Sequence, residues 1–179
     1  EFIRYISVTV NPEEGVPYML HASGCLPSSD YETVGAWHKE AAAQLRKYKL
    51  KRSHIIGLLP PQDYQIFQTA GVEAETHEEL VQAMRWKLKD LTSSEPTEFS
   101  LDVVQMGEAG GRLDKQVLVV AAKNEVVSLR LAQFESIGVK LDTLSIYEVS
   151  IAHLMSGLLP EASCLASLYV TEHEFLISA

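Results

Sequence analysis

Residues 5–25 read Tyr-Ile-Ser-Val-Thr-Val-Asn-Pro-Glu-Glu-Gly-Val-Pro-Tyr-Met-Leu-His-Ala-Ser-Gly-Cys. Tyr5 to Val10 alternates in the period of a strand, Asn11 to Gly15 is turn chemistry, and Val16 to Cys25 returns as a second strand. The far end repeats the pattern: Cys164 to Val170, a Thr171-Glu-His-Glu174 turn, then Phe175 to Ile177. An isolated hairpin is marginal without a third strand or a packed helix. A chain that opens with a hairpin and closes by starting another is therefore expected to be part of a longer protein, cut before its second half.

Between the hairpins the sequence alternates helix and strand signals. After a loop at Leu26 to Asp30, Val34, Trp37, Ala41, Leu45 and Tyr48 form one helical stripe. His54 to Leu59 reads as a short buried strand stopped by Pro60-Pro61. A second unit follows: a strand from Tyr64 to Ala70, then a helix whose capping box is Thr76 and Glu79 and whose stripe is Leu80, Met84, Leu88 and Leu91. Phe99 to Met106 and Gln116 to Ala122 read as strands around a glycine-rich loop. A further helix carries Val127, Leu131 and Phe134 on one face, with Gly138 as its cap. Val139 to Leu144 is expected to return as a strand. Ser145 and Glu148 form a second capping box for a helix ending at Gly157.

Composition narrows the function. The chain has 24 acidic and 15 basic residues, a net charge of −9 and a pI of about 5.1. That balance argues against nucleic acid, whose recognition requires phosphate neutralisation. One basic cluster, Arg46, Lys47, Lys49, Lys51 and Arg52, suits either a helix C-terminus or an anionic surface. No apolar run reaches the length of a membrane span, and no signal-peptide pattern is visible, so the expectation is a soluble intracellular protein. Cys25 and Cys164 are too few and too far apart for a disulfide framework or a zinc site, and are expected to be free, buried thiols.

Three stretches carry a resemblance to a known family: Glu78-Glu-Leu-Val-Gln-Ala-Met-Arg-Trp-Lys-Leu-Lys-Asp-Leu91, Val117-Leu-Val-Val-Ala-Ala-Lys-Asn-Glu-Val-Val127, and Phe134-Glu-Ser-Ile-Gly-Val-Lys-Leu-Asp-Thr-Leu144 with the helix that follows. In order and spacing the segment from Trp37 to Leu158 resembles the PilM-like type IV pilus assembly proteins, in particular the MshI branch that serves mannose-sensitive haemagglutinin (MSHA) pilus biogenesis. The resemblance implies an α/β, actin-like (ribonuclease-H-type) core related to FtsA, formed by residues 1–61 and 142–179, with a small α/β subdomain inserted at 62–141. It also implies a peripheral protein on the cytoplasmic face of the inner membrane. Such a protein binds the cytoplasmic tail of a PilN-like membrane protein, along with other pilus assembly proteins.

Relatives with the actin-like fold bind ATP between two hairpin turns. An Asp there holds Mg²⁺ and glycine-bearing amides cradle phosphate. This sequence departs from that pattern. Its first turn, Asn11-Pro-Glu-Glu-Gly15, lacks Asp, loses an amide donor at Pro12 and places Glu13 and Glu14 where phosphate would sit. The second turn, Thr171 to Glu174, has neither Asp nor Gly. The expectation is a scaffold and not an enzyme, with no cofactor. ATP and Mg²⁺ would enter only if a C-terminal half supplied the site, and the alternative is an actin-like ATPase.

Other catalytic patterns are weaker. Gly107 to Arg112 lacks the ending of a phosphate loop, and His173 between two glutamates reads as an exposed turn. His21, His38, His54, His77 and His153 show no ligand spacing. Glu73, Glu75, Glu78 and Glu79 suit a helix N-terminus. The candidate partner-binding residues are Trp86, Arg85 and Ala83. Trp86 lies about 160° around the helix from Met84, on a face where an indole needs a second apolar surface. That surface is either a neighbouring subdomain or a partner peptide held in a groove.

Overall fold

The computed structural model describes residues 2–10, 18–47, 53–91, 95–105, 116–158, 166–170 and 175–178. In chain order the elements are β1 (Phe2–Val10), β2 (Tyr18–Pro27), α1 (Val34–Arg46), β3 (Ile56–Leu59), β4 (Gln65–Ala70), α2 (His77–Leu91), β5 (Phe99–Gln105), β6 (Gln116–Lys123), α3 (Asn124–Ser136), β7 (Thr143–Ile146), α4 (Tyr147–Leu158), β8 (Ser167–Val170) and β9 (Phe175–Ser178). They form two compact units, one of Glu1–Leu58 with Gln133–Ala179 and one of Leu59–Ala132. The inserted unit therefore ends earlier than the expected residue 141. The reason is packing: Ile137 and Val139 are buried with Ala41 and Leu45, and Phe134 and Leu141 pack against that cluster.

In the first unit β1 and β2 pair antiparallel from Phe2↔Pro27 to Val10↔Tyr18, with a bulge at Ser7/Val8. One hairpin face sends Tyr5 and Leu26 toward the Ala41–Leu45 core, while Ile6, Val8 and Leu20 are exposed. Helix α1 starts where the Thr33 hydroxyl accepts the Ala36 amide at 3.1 Å, which satisfies one of the helix's free donors. Trp37, Ala41 and Leu45 are buried as the stripe requires, but Val34 is exposed, and Tyr48 lies outside the described residues. The Trp37 indole N–H donates to the Leu26 carbonyl at 3.0 Å, fixing the helix to β2.

Strand β3 pairs with β7. Only Gly57 and Leu59 of β3 are buried, so the expected buried strand alternates. At Gly57 apolar side chains crowd the backbone: a Cβ there would lie 2.6 Å from Leu141 Cδ1 and 3.2 Å from both Leu144 Cδ1 and the Phe134 ring. Helix α3 ends in a Schellman arrangement. The Val139 amide donates to the Phe134 carbonyl at 3.0 Å and the Gly138 amide to the Glu135 carbonyl at 2.9 Å, with Gly138 at φ +75°. The strand expected at Val139 to Leu144 begins only at Thr143. It consumes Ser145, so Ser145 does not cap α4, which starts at Tyr147. The closing hairpin is present as β8 and β9, antiparallel from Ser167↔Ser178.

The second unit is a three-stranded antiparallel sheet in the order β4-β6-β5 with α2 on one face. Leu80 and Met84 pack with Val103, Val117 and Val119, and Leu88 packs with Phe99 and Ala121. Each such buried side chain contributes about 1.5–3 kcal/mol, so this stripe is the main attachment of the helix. At the helix start the Thr76 hydroxyl accepts the Glu79 amide at 3.2 Å. The Glu79 carboxylate accepts the amide of Glu75, not of Thr76, at 3.0 Å, so the capping box closes one residue early. Arg130 of α3 pairs with Asp63. Helix α3 buries no residue and exposes Leu129 and Leu131, so its expected apolar face is only half realised.

Candidate partner-binding site on helix α2

The buried stripe of α2 fixes what its other residues can do. At 100° per residue, Met84 toward the sheet places Arg85 on one flank, Lys87 on the other and Trp86 at the crest. The contacts agree. Arg85 Nη1 donates to the carbonyls of Pro96 at 2.9 Å and Phe99 at 2.8 Å, on the β5 side. Lys87 Nζ donates to the Ala70 carbonyl at 2.9 Å, at the end of β4. Two cationic side chains thus clamp the helix to opposite margins of the sheet, with charge-assisted bonds stronger than neutral ones.

Trp86 is 72% exposed, and Ala83, one turn before it, is half-buried. An indole presented this way is a rigid apolar surface with an N–H edge that has no partner among the described residues, the residue type enriched at interface centres. The three residues selected from the sequence therefore separate. Trp86 and Ala83 face outward on the crest and flank, whereas Arg85 is half-buried and spends its guanidinium on backbone carbonyls. Arg85 is a clamp of the fold.

Before the helix, Glu73, Ala74, Glu75 and Glu79 line an open recess, and Glu78 is exposed beside it. His77 Nε2 lies 2.7 Å from Asp102 Oδ1, which also accepts the Val103 amide at 2.8 Å. These groups surround the positive end of the helix dipole, which accounts for acidic residues there. Among the described residues no three metal-ligating side chains converge, and no helix is long and apolar enough to cross a membrane.

The fold also brings together one array invisible in the sequence. Thr143 Oγ1 lies 3.4 Å from His54 Nε2, and His54 Nδ1 lies 3.8 Å from Asp142 Oδ2. The order matches a nucleophile, base and orienter, but 3.8 Å is beyond hydrogen-bonding reach. The same carboxylate oxygen accepts the Ile55 amide at 2.8 Å. Asp142 serves as a loop clamp there. Cys25 is a free thiol, but it is exposed on β2 and not buried as expected. The turns 11–15 and 171–174, the loop 107–112, His173, Cys164, Lys49, Lys51 and Arg52 lie outside the described residues.

No family model matches the sequence, and no curated protein matches it. Solved structures do. A chain of a PilM–PilN type IV pilus biogenesis complex superimposes with a TM-score of 0.66 at 19% identity over 93% of this chain. The cytoplasmic domain of EpsL, an inner-membrane component of the type II secretion system of Vibrio cholerae, does so with a TM-score of 0.63 at 12% identity over 99%. This chain spans 51% of the first and 61% of the second. The chain has the fold of PilM and of the EpsL cytoplasmic domain, an actin-like α/β core with a small inserted α/β unit.

Proposed function

We propose that this chain is a non-catalytic scaffold of an inner-membrane assembly complex of the type IV pilus or type II secretion kind. On this reading it lies at the cytoplasmic face and holds the cytoplasmic tail of a PilN-like membrane protein, with MSHA-type pilus biogenesis as the system. The observation that carries the reading is the exposed Trp86 crest on a helix whose opposite face is buried against the sheet. Its likeness to a chain of a PilM–PilN complex supports a PilN-like occupant, and the three quoted stretches support the MSHA branch. The test is retention of a PilN-like tail by the immobilised protein. Failure to retain it counts against the proposal.

The actin-like fold favours a second reading, an ATPase. The sequence expected at the two turns, 11–15 and 171–174, does not suit that cofactor: it offers no Asp for Mg²⁺, Pro12 has no N–H, and Glu13 and Glu14 would repel phosphate. Calorimetric titration with Mg-ATP separates the two. Micromolar binding with turnover would establish the ATPase, and a flat titration agrees with the scaffold.

A further inference from the structure

Charge is spread unevenly along this chain. Residues 41–62 carry Arg46, Lys47, Lys49, Lys51 and Arg52 and no Asp or Glu. All 24 acidic residues and only 10 of the 15 basic ones lie elsewhere, which leaves +5 in this stretch against −14 in the rest. The dipole of α1 does not account for five cations. Its negative end acts within the last turn, where the basic residue is Arg46, and the helix is capped at Lys47. Lys49, Lys51 and Arg52 come after it in sequence.

Carboxylates do not neutralise the cluster. The acids that flank it in sequence are engaged: Glu40 accepts the Gln44 carboxamide at 2.8 Å, and Asp63 pairs with Arg130. Asp142 accepts the Ile55 amide at 2.8 Å. The fold adds two more cations. Lys39 and Arg46 are seven residues apart on α1 and so lie on one side of it, with Ala43 exposed between them. Lys140 is exposed one residue after Val139, which shares a core with Leu45, the residue before Arg46. Among the described residues Lys39, Arg46 and Lys140 form no ion pair, and Lys47 donates to the neutral Gln44 Oε1 at 3.0 Å.

We infer that the C-terminal end of α1 binds the surface of an anionic lipid bilayer. Clusters of about 4–8 Lys and Arg recognise acidic headgroups, each cation giving about a fivefold gain in partition. Tyr48 and Leu50 alternate with Lys49 and Lys51, and a tyrosine with an apolar neighbour among cations suits the boundary between headgroups and acyl chains. An acidic protein or a nucleic acid has no such boundary to offer. A flat bilayer also meets one end of the molecule alone. Its field fades within about 8 Å at physiological salt, so the acidic remainder is not held against it. The inference rests on the reading that this chain works at a membrane face, and adds a lipid contact of its own to the one made through a membrane protein's tail.

The test sediments the full chain with phosphatidylcholine vesicles containing about one-third phosphatidylglycerol, and with phosphatidylcholine vesicles alone. At low salt the chain is expected to partition onto the anionic vesicles at least about tenfold more strongly. That excess should vanish at about 1 M salt, where the screening length falls to about 3 Å. Lys51→Glu reverses one charge of the cluster and should lower anionic-vesicle binding at least about tenfold. Lys123→Glu changes the net charge equally at an exposed position outside the cluster and should change binding by less than about twofold. Thermal unfolding confirms that both variants are folded. Equal effects of the two variants overturn the assignment to this end of α1. No excess on anionic vesicles overturns the lipid contact altogether, and if a polyglutamate peptide binds where those vesicles do not, the cluster serves an acidic protein instead. Retention of the PilN-like tail is measured without lipid, so the scaffold reading and this one stand or fall separately.

Discussion

Replacing Trp86 by Ala tests the crest of α2 directly. A tryptophan encloses about 150–250 Å² when fully covered. With 72% of Trp86 still exposed, about 150 Å² is left for a partner to cover, an upper bound of about 4 kcal/mol at about 25 cal/mol per Å². Ordering costs reduce what is realised to about 2 kcal/mol, or about a thirtyfold loss of affinity for the tail peptide. The folded protein should barely notice: substitutions at such exposed sites change stability by about 0.5 kcal/mol. Leu88→Ala on the same helix is the contrasting control. Leu88 is 1% exposed, and its truncation should cost about 2–5 kcal/mol of stability. Titration calorimetry with the tail peptide, alongside thermal unfolding, measures both quantities. Unchanged peptide affinity in a fully folded Trp86→Ala protein would refute the assignment of the indole to the partner surface.

Three further outcomes follow from the packing. Arg85→Met leaves the Pro96 and Phe99 carbonyls without their donor and should destabilise the fold by about 2–3 kcal/mol, seen as a lower denaturant midpoint; peptide affinity per folded molecule should hold. Gly57→Val drives a side chain into Leu141 and Leu144 and should cost about 1–3 kcal/mol or more, measured by thermal unfolding. Gly138→Ala retains open space at its Cβ position but must adopt φ +75°, so its loss should be limited to about 1 kcal/mol.

The parts of the fold that were legible in the sequence are those governed by local chemistry. The Leu80, Met84, Leu88 stripe buries as written, and the first hairpin is present, though its pairing runs beyond the expected strands to Phe2 and into Leu26 and Pro27, which read as loop. Gly138 caps α3 because only a residue tolerant of positive φ fits there. What escaped depends on distant partners. Ser145 and Glu148 spell a capping box, yet pairing of β7 with β3 claims Ser145 for a strand. The Val127–Leu131 face of α3 reads as core but is only half covered. Residues 133–141 look like the end of the insert until Ile137 and Val139 are seen packed on Ala41.

The candidate site was legible in the same partial way. Trp86 stood out because its angle from the apolar stripe can be computed from helix geometry. Arg85, its neighbour, could not be recognised as a clamp without knowing that Phe99 passes beside it. Strand β4 lies at one margin of its sheet, which its sequence Gln65-Ile-Phe-Gln-Thr-Ala70 does not reveal. Which strand lies at a margin depends on sheet order, and no local pattern encodes that.

The chain passes between its two units at Leu58–Leu59 and Ala132–Gln133, inside β3 and inside α3 and not through loops. Hydrogen-bonded backbone is a poor substrate for proteases and a poor place to splice. Limited digestion should therefore fail to release the smaller unit intact at those points. Anyone grafting that unit into another host, or swapping it between relatives, would have to match a strand register and a helical phase at the two seams.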